Sequence, residues 1–306
     1  MRILVTGSKG TLGTPLVAEL KKRGHEVFGI DLKHTDDKDN ARCDISDFRQ
    51  VKRAIESFYP DIVYHLAAEF GRMNGEEYYE QVWRTNVIGT RNILEVQKLM
   101  KFKLIFASSS EIYGDSDEPI LNEESVLAQQ KNDYAISKWV NELQCKNFRE
   151  RHGNEIMTLR FFNAYGPGEM YTNYRSVVCL FCYRALHNIP YTVYEGYHRV
   201  FMYIDDFIPS LANVCERFID GETVNIGGTE YRSVKDLSDI ILKYLGKDDS
   251  FVVYESSDKH NVTNKKPDIS KAKKILGHDP KITLEEGVKE TLDWMMRHYG
   301  FVGQEV

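Results

Sequence analysis

The chain opens "MRILVTGSKGTLGTPLVAELKKRGHEVFGID", residues 1–31. Within it, "RILVT" (2–6) is a mostly apolar run of strand length. It leads into "TGSKGTLG", which sets Gly7, Gly10 and Gly13 at G-x-x-G-x-x-G spacing. An amphipathic stretch, "TPLVAELKKRG", follows, and then a second short run, "EVFGID", that ends at Asp31. Strand, glycine turn, helix, strand is the opening of a doubly wound α/β sheet. The glycines permit a tight bend and a close backbone approach. Pyrophosphate oxygens can then rest on the N–H groups at the helix start. This spacing is a variant of G-x-G-x-x-G, and alone it describes any glycine-rich β–α turn. Asp31, 18 residues after Gly13, sharpens the reading. A carboxylate there accepts both ribose hydroxyls of NAD and repels a 2′-phosphate, so NAD is expected over NADP. The plainer role for Asp31 is a turn cap. "RCDISD" adds Asp44 and Ile45, expected to meet the adenine ring after a third strand.

The remaining pattern extends the same architecture. "IVYHLAA" (62–68), "KLIFASS" (103–109) and "EIMTLRFFN" (155–163) read as further strands, nearly all apolar because a parallel sheet is covered on both faces. Amphipathic segments such as "TNVIGTRNILEVQKLM" lie between them. The expected fold class is α/β: a Rossmann-type doubly wound parallel sheet with a smaller α/β substrate-binding C-terminal region. Residues 1–164, with about 200–226, are assigned to the NAD-binding domain. Residues of about 165–199 and 227–306 are assigned to the substrate side, where the chain turns Gly-, Tyr- and Asn-rich before "SVVCLFCYRALHN".

Bulk properties narrow the function. The chain has 306 residues, 42% hydrophobic and 28% charged, with a net charge of −6. That charge argues against a sequence-independent grip on nucleic acid. No apolar run reaches membrane-span length and the start does not read as a secretory signal, so a cytoplasmic protein without membrane contact is expected. Five scattered cysteines fit a reducing compartment. Cys179 and Cys182 form a lone C-x-x-C in an apolar run and read as core, and no metal site is expected.

The chemistry is expected at two later stretches, "SSSEIYGD" (108–115) and "NDYAISKWVNELQ" (132–144). Tyr134 and Lys138 stand four apart and share a helix face. An ammonium beside a phenol favours the phenolate, as does a positive nicotinamide ring, and the phenolate can take a proton from a hydroxyl as hydride leaves the same carbon. Glu111 lies between three hydroxyls and apolar Ile112, where a carboxylate is costly to bury without a purpose.

Together with "HLAA" (65–68), "TNVIGT" (85–90), "RFFNAYGPG" (160–168), "HRVFMYIDD" (198–206), "VNIGG" (224–228) and "KPDISKAKKILGHDP" (266–280), these motifs resemble the extended short-chain dehydrogenase/reductase family. The resemblance is to its NAD-dependent nucleotide-sugar epimerase/dehydratase group, and it covers nearly the whole chain. It implies a nucleotide-diphosphate sugar substrate, transient oxidation at sugar C4 to a 4-keto intermediate, and a homodimer. It implies cofactor contacts from Gly7, Gly10, Thr11, Leu12 and Gly13 in the turn, and from Asp31, Leu32, Asp44 and Ile45 at the adenosine end. Leu66, Ala67, Ala68, Asn86, Ser108 and Phe161 are implied at the strand ends, with Tyr134 and Lys138 at the nicotinamide. Ser109 looks like the hydroxyl partner of Tyr134. Arg72, Ser110, Asn163, Arg175 and Arg199 look like substrate ligands, although Arg199 could instead pair with Asp205 or Asp206.

Ser109-Ser110-Glu111 is most similar to the Thr-x-Glu stretch of the dehydratases and decarboxylases. Glu111 is accordingly expected to remove a proton next to the ketone, giving epimerisation or dehydration. The alternative within the family is decarboxylation of a nucleotide uronate. A third reading, a non-catalytic NAD-binding redox sensor, is disfavoured because Ser109, Tyr134 and Lys138 are all present. The dimer is expected to pair helices around 78–100 and 133–151, with Val87, Ile93 and Leu94 as apolar candidates on the first.

Overall fold

In the computed structural model, residues 1–300 are described apart from 126, 128, 257, 259–261 and 263. The central sheet has seven strands, all parallel. Six come from the first half: β1 (Arg2–Thr6), β2 (Glu26–Asp31), β3 (Asn40–Arg42), β4 (Ile62–His65), β5 (Lys103–Ser109) and β6 (Ile156–Phe161). The seventh, Thr223–Ile226, pairs with β6 in the register Val224 to Leu159 and Ile226 to Phe161. The order runs Thr223–Ile226, β6, β5, β4, β1, β2, β3. It reverses at β1, where α1 (Gly13–Lys22) follows the glycine turn. Open sheets of this kind bind ligands at the carboxyl ends of the strands, beside such a reversal.

Each face of the sheet carries its own core. Leu16 and Leu20 of α1 pack on one face with Phe207 and Leu211 of the Ile204–Asn213 helix and with the C-terminal helices. On the other face, Val51 and Ile55 of α2 (Phe48–Phe58) meet Ile93, Leu94 and Val96 of the Gly89–Met100 helix, and Phe148. Ile93 and Leu94 are therefore fully buried against their own sheet and are not dimer contacts; Val87 is half-buried. Cys179 and Cys182 are buried in the Val177–Leu186 helix, as expected for core.

The later chain is more irregular. Tyr191–Tyr194 pairs with Val252–Glu255, and His198–Val200 pairs with both Tyr231–Ser233 and Asn264–Lys265. Helices Val234–Leu245 and Leu284–Tyr299 start at capping boxes of Ser233 with Asp236 and Thr283 with Glu286. No described helix is long and apolar enough to cross a membrane.

Candidate active site

The glycine turn is the first wall of the site. Gly7 has φ +69°, a left-handed conformation that favours glycine. A Cβ on Gly13 would stand 2.0 Å from the Gly7 carbonyl oxygen, so only glycine lets the helix close on the turn. Most long helices here have a side-chain cap, but α1 has none, and its first turn holds no acidic residue. Its leading N–H groups are left for an anion. Asp31 fixes this arrangement: its carboxylate accepts from the backbone N–H of Lys9 at 2.9 Å and of Lys33 at 2.9 Å. Asp31 thus caps the turn, the plainer of its two expected roles.

Next to the turn, Thr6 Oγ1 accepts from the Ala67 N–H at 3.0 Å and meets His65 Nδ1 at 2.8 Å. His65 Nε2 contacts Thr90 Oγ1 at 3.0 Å. This chain of hydroxyls and imidazole ties the ends of β1 and β4 to the helix behind them. Burial, with the Lys138 charge nearby, pushes the His65 pKa down to about 3, so the ring is neutral. Asn86 lies in a π-helical stretch, Trp83–Ile88, and brackets the backbone of Glu69. Its Oδ1 accepts from the Glu69 N–H at 2.8 Å, and its Nδ2 donates to the Glu69 carbonyl at 3.0 Å.

The second wall is the end of β5 and the Asp133–His152 helix. Asn132 caps that helix, accepting from the Ala135 N–H at 2.9 Å, and also bonds Glu111. The helix is locked to β6 by a buried fork: Arg160 Nε donates to Glu142 Oε1 at 3.1 Å and Nη2 to Oε2 at 2.9 Å. Arg160 also donates to the Tyr113 hydroxyl at 2.9 Å. Tyr134 and Lys138 are thereby held in place, both buried. Lys138 Nζ donates to the Ala107 carbonyl at 2.8 Å and stands 6.0 Å from the Tyr134 ring centre. Burial lowers its pKa to about 8.

Burial dominates the surroundings of the phenol. Burial raises the Tyr134 pKa; a hydrogen bond with Ser109 opposes the rise, and the Glu111 charge adds to it. Lys138 is not among the groups that set this shift; its ammonium donates to the Ala107 carbonyl. In this state the phenol holds its proton.

Glu111 is met by residues far away in sequence. Lys265, from the short strand Asn264–Lys265, donates from Nζ to Glu111 Oε1. The lysine side chain is 2% exposed and the glutamate 23%. Burial alone would raise the Glu111 pKa; Lys265 and then Arg199 outweigh it and hold the carboxylate ionised. Lys265 itself is lowered to about 8, because burial outweighs the glutamate. Arg199 is buried and donates to the His198 carbonyl at 2.8 Å and to the Val262 carbonyl. It does not pair with Asp206, whose carboxylate accepts from the N–H groups of Lys281 and Ile282 at 2.7 Å each.

These walls enclose one cleft of about 780 Å³ at the carboxyl end of the sheet. It runs from Gly7, Gly10, Thr11, Leu12 and Gly13, past Leu66, Ala68 and Phe161, to Ser108, Ser109, Ser110 and Glu111. Tyr134, Lys138, Asn163, Arg72, Arg175 and Arg199 line it as well, and so does Lys265. Asp31, Leu32, Asp44, Ile45, Ala67 and Asn86 are not on its wall; Asp31, Ala67 and Asn86 bond Lys9, Thr6 and Glu69, each next in sequence to a residue that lines it. Arg72 reaches Asp258 across the cleft at 2.7 Å, and Arg175 donates to the Met170 carbonyl at 3.0 Å. Sequence reading missed Lys265, Asn132, Glu142 and Arg160. Only Asn132 carried a local signal, a cap residue just before a helical run. Among the described residues, the one group of three side chains placed to share a metal is His25, Cys215 and Glu216. It lies outside this cleft, since His25 precedes β2 at the opposite end of the sheet.

The cleft fits a dinucleotide. Its floor is the glycine turn that any Cβ would fill, and Ser108 Oγ is buried with no hydrogen-bond partner. Such an orphan hydroxyl at the strand end awaits a polar ligand.

Residues 3–227 match the family described as NAD dependent epimerase/dehydratase. The UDP-N-acetyl-alpha-D-glucosaminuronate decarboxylase of Bacillus cytotoxicus is 30% identical over 96% of this chain and 97% of its own length. UDP-glucuronic acid decarboxylase 1 of Xenopus tropicalis is 30% identical over 97% of this chain and 72% of its own. The UDP-glucose 4-epimerase of Thermotoga maritima, solved with UDP-glucose, superposes with TM-score 0.89 at 28% identity, covering 98% of this chain and 100% of that one. The UDP-glucuronic acid 4-epimerase of Bacillus cereus, solved with UDP-glucuronic acid and NAD, gives TM-score 0.88 at 27% identity, with coverage of 98% and 100%. With a glycine cradle, a Tyr/Lys helix and a catalytic-type strand end assembled on one cleft, this chain belongs to the NAD-dependent epimerase/dehydratase family.

Proposed function

We propose that the protein is an NAD-dependent enzyme that oxidises carbon 4 of a UDP-linked sugar transiently and then acts on the bond or hydrogen next to the ketone. The observation that carries this reading is convergence: Ser109, Glu111, Tyr134 and Lys138 line the same cleft as the glycine turn, with Arg199 and Lys265 at its other end. NAD, when bound, supplies the acceptor for the hydride of carbon 4 and returns it.

The chain's own residues do the rest. Gly7, Gly10, Thr11, Leu12 and Gly13 hold the pyrophosphate, with Asp31 and Leu32 at the adenosine ribose and Asp44 and Ile45 at the adenine. Leu66, Ala67, Ala68, Asn86, Ser108 and Phe161 shape the nicotinamide end. Tyr134 takes the proton of the 4-hydroxyl, with Ser109 bonded to both oxygens and Lys138 supplying positive charge. A cationic ligand in the cleft would favour the phenolate that the free site disfavours. Arg72, Ser110, Asn163, Arg175 and Arg199 hold the sugar and its diphosphate. Glu111, kept ionised, removes a proton from the carbon beside the ketone, and epimerisation or dehydration follows.

A second reading has its own support. Similarity over nearly the whole of this chain to two decarboxylases of UDP-uronates, together with the cluster of Arg72, Arg199 and Lys265 on the cleft, favours loss of carbon dioxide from a 4-keto uronate. Product mass separates the readings: no change for epimerisation, loss of water for dehydration, loss of carbon dioxide for decarboxylation. The test is incubation with NAD and a panel of UDP-sugars, following reduced-nicotinamide absorbance and product mass. Tyr134→Phe should lower turnover about 10²–10⁴-fold with an unchanged melting point. A Tyr134→Phe variant as active as the parent would overturn the proposal.

We assign residues 1–164 with about 200–226 to the NAD domain, and about 165–199 with 227–306 to the sugar domain. We further propose a homodimer in the cytoplasm. Exposed Ile88, Leu99 and Leu143 on the two candidate helices support the first. Five free, buried cysteines support the second.

A further inference from the structure

The Glu111–Lys265 pair is odd for a resting site. Lys265 is among the largest fully buried side chains of the molecule, and its ammonium needs a counter-ion there. The carboxylate that serves is the one expected to act on the substrate. Arg199, also buried, stands close enough to bias both groups, and Arg72 biases Lys265 as well. Arg72 has its own carboxylate, Asp258 at 2.7 Å. Among the described residues, the end of the cleft opposite the glycine turn holds Arg72, Arg199 and Lys265 with Glu111 and Asp258, and Arg72 also pairs with Glu76.

We propose that Lys265 is an anion seat which Glu111 fills in the free protein and an anionic oxygen of the substrate fills in the complex. The inference rests on the reading that the cleft takes a nucleotide-diphosphate sugar. The oxygen belongs to the diphosphate or to a sugar carboxylate; either satisfies a buried ammonium as a carboxylate does. The exchange has two effects. Glu111 competes with the substrate, so the seat is open in only a fraction of free molecules, and apparent affinity is reduced by that fraction. Once displaced, Glu111 loses its strongest neutralising partner and becomes more basic, beside the carbon it is to deprotonate. Lys265 thus couples substrate binding to the release of the base.

The test needs no turnover. UDP, UDP-glucose and UDP-glucuronic acid are titrated calorimetrically into the NAD-saturated protein and its variants. Glu111→Gln removes the competitor, so affinity should rise about tenfold if the seat is open in about one molecule in ten. Glu111→Ala carries the same expectation, which keeps the test standing if one variant folds poorly. Lys265→Met removes the seat and should weaken binding about tenfold or more. Tightening towards UDP itself identifies the diphosphate as the displacing group; tightening confined to UDP-glucuronic acid identifies the sugar carboxylate. If neither Glu111 variant binds any of the three more tightly than the parent, the exchange is wrong. The functional reading fails separately, when the parent protein transforms no UDP-sugar whatever the titrations show.

Discussion

Lys265 and Glu111 are 154 residues apart in sequence and share one hydrogen-bonded ion pair at the mouth of the active-site strand. A pair this buried gains little over an apolar pair, yet breaking it is expensive, because one charge is then left uncompensated. Lys265→Met should cost roughly 3 kcal/mol of folding stability. Lys265→Met with Glu111→Gln should recover most of that. Urea denaturation of the two singles and the double gives the coupling energy, expected near 2 kcal/mol. Additive losses would mean that the pair contributes nothing.

Gly13 faces the backbone of its own turn, which cannot swing aside. A Gly13→Ala methyl would be 2.0 Å from the Gly7 oxygen and 2.9 Å from the Ser8 Cα. The turn must open, at about 1–3 kcal/mol. NAD affinity should fall about tenfold or more, since a shift of that order is about 1.4 kcal/mol. Calorimetric titration with NAD checks it; an unchanged dissociation constant would show that the turn does not set the cradle.

Arg160 and Glu142 anchor the helix that carries Tyr134 and Lys138. Both are buried, with side-chain exposures of 7% and 9%. Arg160→Met strands Glu142 and should cost about 3–5 kcal/mol. Adding Glu142→Leu should return most of the stability, because the uncompensated charge goes with it. Denaturation midpoints of the single and double variants decide the matter.

His65 makes the fold sensitive to acid. Its pKa is about 3 in the folded chain against an ordinary 6.5, so below pH 6.5 the unfolded state binds the extra proton. The stabilisation is complete above 6.5 and is lost as pH falls towards 3. The slope is up to about 1.4 kcal/mol per pH unit. His65→Asn should flatten the dependence of stability on pH between 6 and 4, measured by urea denaturation at each pH. Parallel curves for parent and variant would refute it.

Local features of the chain were legible because their causes are local. The strands β1, β2, β5 and β6 follow from apolar runs, the first turn from glycine spacing, and the pairing of Tyr134 with Lys138 from helical periodicity. What escaped the sequence depends on distance. Lys265 reads as one more basic residue in "NKKPD", and only the pairing of Asn264–Lys265 with His198–Val200 carries it to Glu111. Arg160 and Glu142 carry no local mark of their pairing, which joins β6 to the helix before it. Ile93 and Leu94 fit a dimer seam or the sheet equally well from sequence: apolar residues on a helix do not tell which neighbour they face, and here it is the sheet. The surroundings of the phenol escaped the sequence for a related reason. Helical spacing placed Lys138 beside Tyr134, but the Ala107 carbonyl, on another element, decides where the ammonium points.

The strand Thr223–Ile226 completes the sheet beside β6. On the ribosome, the central sheet therefore cannot be completed until the chain has been synthesised past residue 226 and folded back against β6. A fragment halted at residue 164 would present the unpaired edge of β6, a ready template for intermolecular pairing. That last strand thus ties the folding of the first 164 residues to chain made about sixty residues later.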